Sequence, residues 1–88
     1  MTQNKNFLSL LENDVGTKLK KERLSWGMTI QKLSLLSHID SEEINHIENE
    51  NLSYLSFEKL VDICKALDIS AFSFIKKNVT IQELLKNI

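Results

Sequence analysis

The stretch Thr29–Glu50, TIQKLSLLSHIDSEEINHIENE, decides how this chain is read. Thr29 is a residue type that caps helices, and Ile30, Leu33 and Leu35 or Leu36 follow at helical spacing. Ser37, His38 and Ile39 form a turn. Asp40 then opens a second helix, with Glu43 three residues on as the far half of a capping box and Ile44 and Ile47 as inward residues. Two short helices joined by a tight turn have the spacing of a helix-turn-helix, whose second helix enters the major groove of DNA. The charge is awkward for that task. Glu42, Glu43 and Glu48 lie on the second helix, Asp40 and Glu50 flank it, and no Lys or Arg occurs between Lys32 and Lys59.

Outward from this stretch, the 88 residues suffice for one small domain with a modest core. Hydrophobic residues at 42% and charged residues at 26% place the chain among ordinary globular domains rather than disordered segments. Pro is absent and Gly occurs only at 16 and 27, so nearly every segment can be helical. A helix is expected near 14–26, with Val15, Leu19 and Arg23 on one face and Gly27 as its stop. After a polar loop at 49–55, Ser56 caps a fourth helix carrying Phe57, Leu60, Val61, Ile63, Cys64 and Leu67. Ser70 opens a fifth with Phe72, Phe74 and Ile75, and Thr80 with Glu83 forms a capping box ahead of Leu84, Leu85 and Ile88. Residues 1–5 read as a frayed start, and Phe7, Leu8, Leu10 and Leu11 as a short apolar arm. The fold class is all-α, a compact bundle of five to six short helices in a single domain over 1–88. Its core spans 14–76, its helix-turn-helix 29–49 and its C-terminal dimerisation segment 70–88.

The net charge of −1 provides no general attraction for a polyanion, so nucleic-acid binding must come from local placement of charge. Cys64 is the only cysteine, which leaves no internal disulfide and no cysteine zinc site. A metal role for His38 with His46 lacks further ligands at a suitable spacing. No apolar run approaches the length of a membrane span, and the N-terminus is too polar for a signal peptide, so the expected location is the cytoplasm. No Gly-rich phosphate loop or nucleophile set is present, and the chain is not expected to be an enzyme or to hold a cofactor or small-molecule ligand.

Several segments, taken together, resemble the Cro and phage-repressor type of helix-turn-helix family, also named after the xenobiotic-response-element regulator. LKKERLSWGMT is similar to that family's first helix, Leu33-Ser34 to its Leu followed by a small residue, and Ile39, Ile44 and Ile47-Glu48 to its later apolar and Glu positions. SFEKLVDICKALDIS resembles its closing helix. The resemblance covers about 14–76 and implies a lambda-repressor-like DNA-binding domain. It implies a partly buried ion pair of Arg23 with Glu48, a pairing that suits the guanidinium fork; Arg23 reaching a phosphate is the other reading. It also exposes departures. His38 stands where the turn commonly has Gly, and Ile30 where a Gln commonly binds a phosphate. Leu35 and Leu36 replace charged residues, either packing under the Phe7–Leu11 arm or forming a partner-binding patch.

Carried over position by position, the resemblance assigns base reading to Ser41, Glu42, Asn45 and His46. Asn suits adenine, a carboxylate can accept from cytosine N4, and His can donate to guanine. Phosphate contacts fall to Thr29, Lys32, Asn49, Asn51, Ser53, Tyr54 and Lys59, helped by the helix N-termini at Thr29 and Ser56. With so few cations, one module is expected to bind modestly and to need a partner. Phe72, Phe74, Ile75, Val79, Ile81, Leu84, Leu85 and Ile88 are more apolar residues than a tail requires. They are expected to build a homodimer interface, closure of the monomer core being the alternative. The expected partner is double-stranded DNA with a palindromic operator, and no membrane. The layout is most similar to the small controller proteins of restriction-modification operons. Use of the same fold as a protein-binding or antagonist module is the competing reading.

Overall fold

A computed structural model describes residues 7–86. Five α-helices and two single 3-10 turns follow one another: α1 Val15–Ser25, α2 Ile30–Ser37, α3 Ser41–Glu48, a 3-10 turn Leu52–Tyr54, α4 Phe57–Leu67, a 3-10 turn Ala71–Phe74, and α5 Ile81–Leu85. A further helical turn begins at Phe7, and the described residues contain no strand, only an isolated antiparallel bridge between Leu11 and Ile75. The protein is all-α.

Local chemistry sets most of the helix boundaries. Thr29 Oγ1 accepts from the Lys32 amide at 3.0 Å, Ser56 Oγ from the Lys59 amide at 3.1 Å, and Thr80 with Glu83 completes a reciprocal capping box. α2 ends at His38, whose φ of 61° lies in the left-handed region where Gly is usual, so this turn is made without the favoured residue. α4 ends at Asp68, also left-handed, with the Ile69 amide donating back to the Cys64 carbonyl at 2.9 Å. Asp40 does not cap α3 through its side chain. The expected Asp40–Glu43 box is absent because the Glu43 carboxylate turns to the Lys59 ammonium, 2.6 Å away. Ser70 starts only a 3-10 turn rather than a fifth α-helix. Its side chain takes the Phe72 amide and its carbonyl the Ser73 hydroxyl, after which the backbone extends at Ile75 to reach Leu11.

α2 packs most extensively on α4, and both α1 and α2 pack on α3, which is thereby held from two sides. Leu19, Leu33, Ile44, Ile47, Leu60, Ile63 and Leu67 fill the centre. Gly16 permits the closest approach: a Cβ there would drive into the Ile47 carbonyl oxygen at the end of α3. The segments around Leu10–Glu12 and Phe74–Lys76 are sewn together across this core. The Glu12 amide donates to the Phe74 carbonyl at 3.0 Å and the Lys76 amide to the Leu10 carbonyl at 2.8 Å. Phe7 meets Phe57 edge to face, with centroids 5.9 Å apart. Buried residues thus run from Phe7 to Leu84, wider than the expected 14–76.

Two sequence expectations change as a result. The Phe7–Leu11 arm covers Phe57 and Ile75 rather than Leu35 and Leu36, which stand 73% and 45% exposed. Of the residues assigned to a dimer interface, Phe74, Ile75 and Leu84 are buried inside the monomer and cannot form it, because closing the core consumes them. Phe72, Ile81 and Leu85 remain exposed, and Ile88 lies outside the described residues.

Candidate nucleic-acid interface

α3 has two unlike sides. Ile44, Ile47 and Glu48 are buried, which turns Glu42, Asn45, His46 and Asn49 outward at helical spacing. Ser41 is half-buried at the flank. Glu48 accepts two hydrogen bonds from Arg23: Nε at 2.7 Å and Nη2 at 2.9 Å, with both residues 6% exposed. The remaining Arg23 nitrogen donates to the Met28 carbonyl at 2.6 Å, so the guanidinium ties α1, the loop before α2 and the end of α3 into one piece. A buried pair with this many bonds is a positional device more than a source of net stability, and removal of either partner strands the other charge.

The carboxylates around α3 have mostly been taken up by the fold. Glu43 pairs with Lys59, and Glu48 with Arg23. Glu50, with φ 68°, turns its side chain back onto the N-terminus of α1. There it accepts from the Thr17 amide at 2.7 Å, the Thr17 hydroxyl at 2.6 Å and the Gly16 amide at 3.4 Å. Partial burial would raise the pKa of this carboxyl. The bonds from Thr17 and Gly16 outweigh it and hold the group below its ordinary value. The physical need is plain, since Asp14, the residue at the cap position of α1, is itself left-handed and makes no side-chain cap bond. A carboxylate supplied from 33 residues away takes over the orphan amides and the positive helix end. Asp40 and Glu42 remain exposed, and neither forms an ion pair among the described residues. The negative charge that α3 presents outward is that of its first turn alone.

The expected DNA-contacting residues fall into three groups. Glu42 and Asn45 are exposed, and Asn45 accepts from the Asn49 amide nitrogen at 3.2 Å, while its own amide nitrogen is left to donate. His46 is not a free side chain: its ring stacks on Tyr54, with centroids 4.3 Å apart and planes 6° from parallel. Lys59 is engaged as well, since besides Glu43 its ammonium donates to the Tyr54 carbonyl at 3.1 Å. Lys32 is exposed with no ion pair among the described residues, and Thr29, Asn51 and Ser53 lie at exposed positions, the last two joined by a 2.9 Å bond. Neither histidine belongs to any group of three or more potential metal ligands among the described residues.

A comparison with protein-family models matches residues 18–71 to the Cro/C1-type helix-turn-helix DNA-binding domain. The chain belongs to this family. Searches of curated proteins and of solved structures return no match. The family match runs from the second turn of α1 through α4, the part that carries α3, and it makes this domain a DNA-binding regulator of a family that is typically non-enzymatic. No helix among the described residues is long and apolar enough to cross a membrane.

Several supports in this Cro/C1-type domain escape sequence reasoning. The Glu50 cap, the Glu43–Lys59 pair and the His46–Tyr54 stack link residues with no shared local pattern. Trp26 is another case: the residue is 58% exposed, yet its indole N–H closes the end of α4 by donating to the Leu67 carbonyl at 2.9 Å. No sequence signal announces the Glu50 cap, because Asp14 is itself a residue type that caps helices; only its left-handed backbone leaves the first amides of α1 to another segment.

Proposed function

We propose that this chain is a sequence-specific transcriptional regulator that binds a palindromic operator as a homodimer. The observation that carries this reading is the outward row of α3, where Glu42, Asn45 and His46 stand side by side on a helix braced by the buried Arg23–Glu48 pair. A helix so mounted presents its first two turns to base edges in the major groove. Phosphate contacts from Thr29, Lys32, Asn49, Asn51 and Ser53 and from the amides at the starts of α2 and α4 fix its register. Lys59 can spare only part of its ammonium for a phosphate.

Affinity per monomer is modest on this reading, because few cations near α3 are unpaired. A second copy supplies the rest through Phe72, Ile81 and Leu85, three exposed apolar side chains at the C-terminal end. Phe72 and Ile81 border a groove of about 220 Å³ whose rim includes Lys76 and Lys77. Two such modules on a twofold axis read half-sites about one helical turn, ~34 Å, apart. The narrower assignment we propose is a cytoplasmic restriction-modification controller, a reading supported by Asp40 ahead of α3, Leu55-Ser56 ahead of α4 and the aromatics Phe72 and Phe74 after it. A gel shift with the DNA upstream of the protein's own gene tests the function. Binding there with a salt slope equivalent to only a few neutralised phosphates per monomer is expected, and no preference over unrelated duplex sinks the reading. Sedimentation of Ile81→Asp/Leu85→Asp should yield monomer, whereas an unchanged dimer would place the interface elsewhere.

One feature favours a second reading. Leu35 and Leu36 form an exposed apolar pair on α2, which suits a protein partner better than water. Loss of DNA binding in Asn45→Ala with Leu35→Ser silent supports the first reading; the reverse supports a protein-binding module.

A further inference from the structure

The His46–Tyr54 stack gives Tyr54 a role different from the phosphate contact its hydroxyl suggested. We propose that Tyr54 is a specificity-determining positioning residue, whose ring fixes the plane of the His46 imidazole so that His46 can discriminate one base pair. This rests on the DNA-reading function of α3.

An imidazole makes its hydrogen bonds in the plane of the ring, at its two nitrogens, so setting the plane sets the directions in which it can donate or accept. An unsupported His on the outward side of a helix samples several rotamers and loses that freedom only on meeting DNA. Here the freedom is already lost: the two rings lie 4.3 Å apart at 6°, leaving the imidazole edge as the polar surface on offer. The ring that does this is itself anchored by backbone. The Asn51 amide donates to the His46 carbonyl at 2.9 Å, and the Tyr54 amide to the Asn51 carbonyl at 3.3 Å, so the 3-10 turn is built on the last turn of α3. From the other side, Lys59 holds the Tyr54 carbonyl at 3.1 Å while gripping Glu43. Lys59 thereby clamps both ends of the same unit, one turn before His46 on α3 and at Tyr54 itself.

The stack requires the ring and not the hydroxyl, which separates this role from a phosphate contact. The full-length chain is used to select duplexes from a randomised double-stranded DNA pool. Each base pair of the selected sequence is then varied and binding measured for wild type, His46→Ala, Tyr54→Ala and Tyr54→Phe. His46→Ala should abolish discrimination at one base pair, a loss of roughly ten-fold. Tyr54→Ala should reduce discrimination at that same base pair, leave the others unchanged and add nothing in the double variant. Tyr54→Phe should retain the wild-type profile. In the free protein the His46 ring-proton resonances should lose their upfield ring-current shift in Tyr54→Ala and keep it in Tyr54→Phe, a check independent of DNA.

Equal weakening on all duplexes in Tyr54→Phe and Tyr54→Ala overturns the proposal in favour of the hydroxyl–phosphate contact. An unaltered profile in Tyr54→Ala, or no position altered in His46→Ala, overturns it while leaving DNA reading intact. A wild-type chain that selects no sequence overturns the DNA-reading function, and this role with it.

Discussion

The two sides of α3 carry the same kinds of residue in opposite circumstances. On the inner side Glu48 is buried and doubly bonded to Arg23; on the outer side Glu42, nearly two turns earlier, is exposed and unpaired. Identical carboxylates thus do different things, one locating the helix and the other shaping what the helix can touch. The inner side is expected to govern stability and the outer side binding, and the two should be separable by single substitutions.

Glu48→Ala should break that comparison most forcefully. It leaves the Arg23 guanidinium buried with only the Met28 carbonyl, and a loss of about 3 kcal/mol is expected in urea or thermal unfolding. A protein of unchanged stability that failed only in DNA binding would move Glu48 to the outer side. Asn45→Ala is the counterpart: unfolding should be unaltered, while specific binding weakens by roughly 1–3 kcal/mol in a titration against its operator. Affinity equal to wild type on that duplex would remove Asn45 from the reading row.

Glu50 lies between the two sides, exposed as a residue yet committed to the start of α1. Glu50→Gln keeps an acceptor but loses the charge at the helix end, and a destabilisation of about 0.5 kcal/mol is expected at low salt. The same residue predicts a pH dependence. Its pKa in the folded protein is below the ordinary 4.5, so the unfolded chain binds the proton first as pH falls. Its contribution is present above 4.5 and disappears as pH drops through the folded-state pKa. Unfolding midpoints for wild type and Glu50→Gln should therefore converge in acid, and parallel curves would contradict the cap. The smallest effect belongs to Glu42→Gln. Affinity for non-specific duplex should rise by less than about 0.5 kcal/mol, with the gain shrinking as salt is added and any preference for cytosine relaxed. Weaker non-specific binding in the variant would show that Glu42 does not oppose the phosphates.

Cys64, on α4, shows burial at its most inert. It is buried in α4, and burial, with the negative charge of Glu22 adding to it, pushes its thiol up to about 12. The group behaves as a small apolar side chain.

Much of this architecture is legible in the residues themselves, because it depends on neighbours three or four positions apart. The caps at Thr29, Ser56 and Thr80, the inward row of Ile44 and Ile47, the turn at His38 and the stop at Gly27 all follow from local sterics and hydrogen bonding. The α3 candidates Ser41, Glu42, Asn45 and His46 came from the family resemblance, carried over position by position, and the helical period that buries Ile44 and Ile47 is what turns Glu42, Asn45 and His46 away from the buried row.

What tertiary structure decided is which charges and rings remain available. Five carboxylates crowd the second half of the helix-turn-helix in the sequence, and packing removes Glu43 to Lys59, Glu48 to Arg23 and Glu50 to Thr17. It likewise takes Lys59 and the face of His46 away from DNA, and takes Phe74, Ile75 and Leu84 from any interface. Most of these outcomes join positions beyond the reach of the helical repeat, where no periodicity reports the distance; the Arg23–Glu48 pair was also implied by the family resemblance. A helix can be read from spacing because its contacts recur at a fixed step; whether a carboxylate on it is free depends on which distant donor folding brings within about 3 Å.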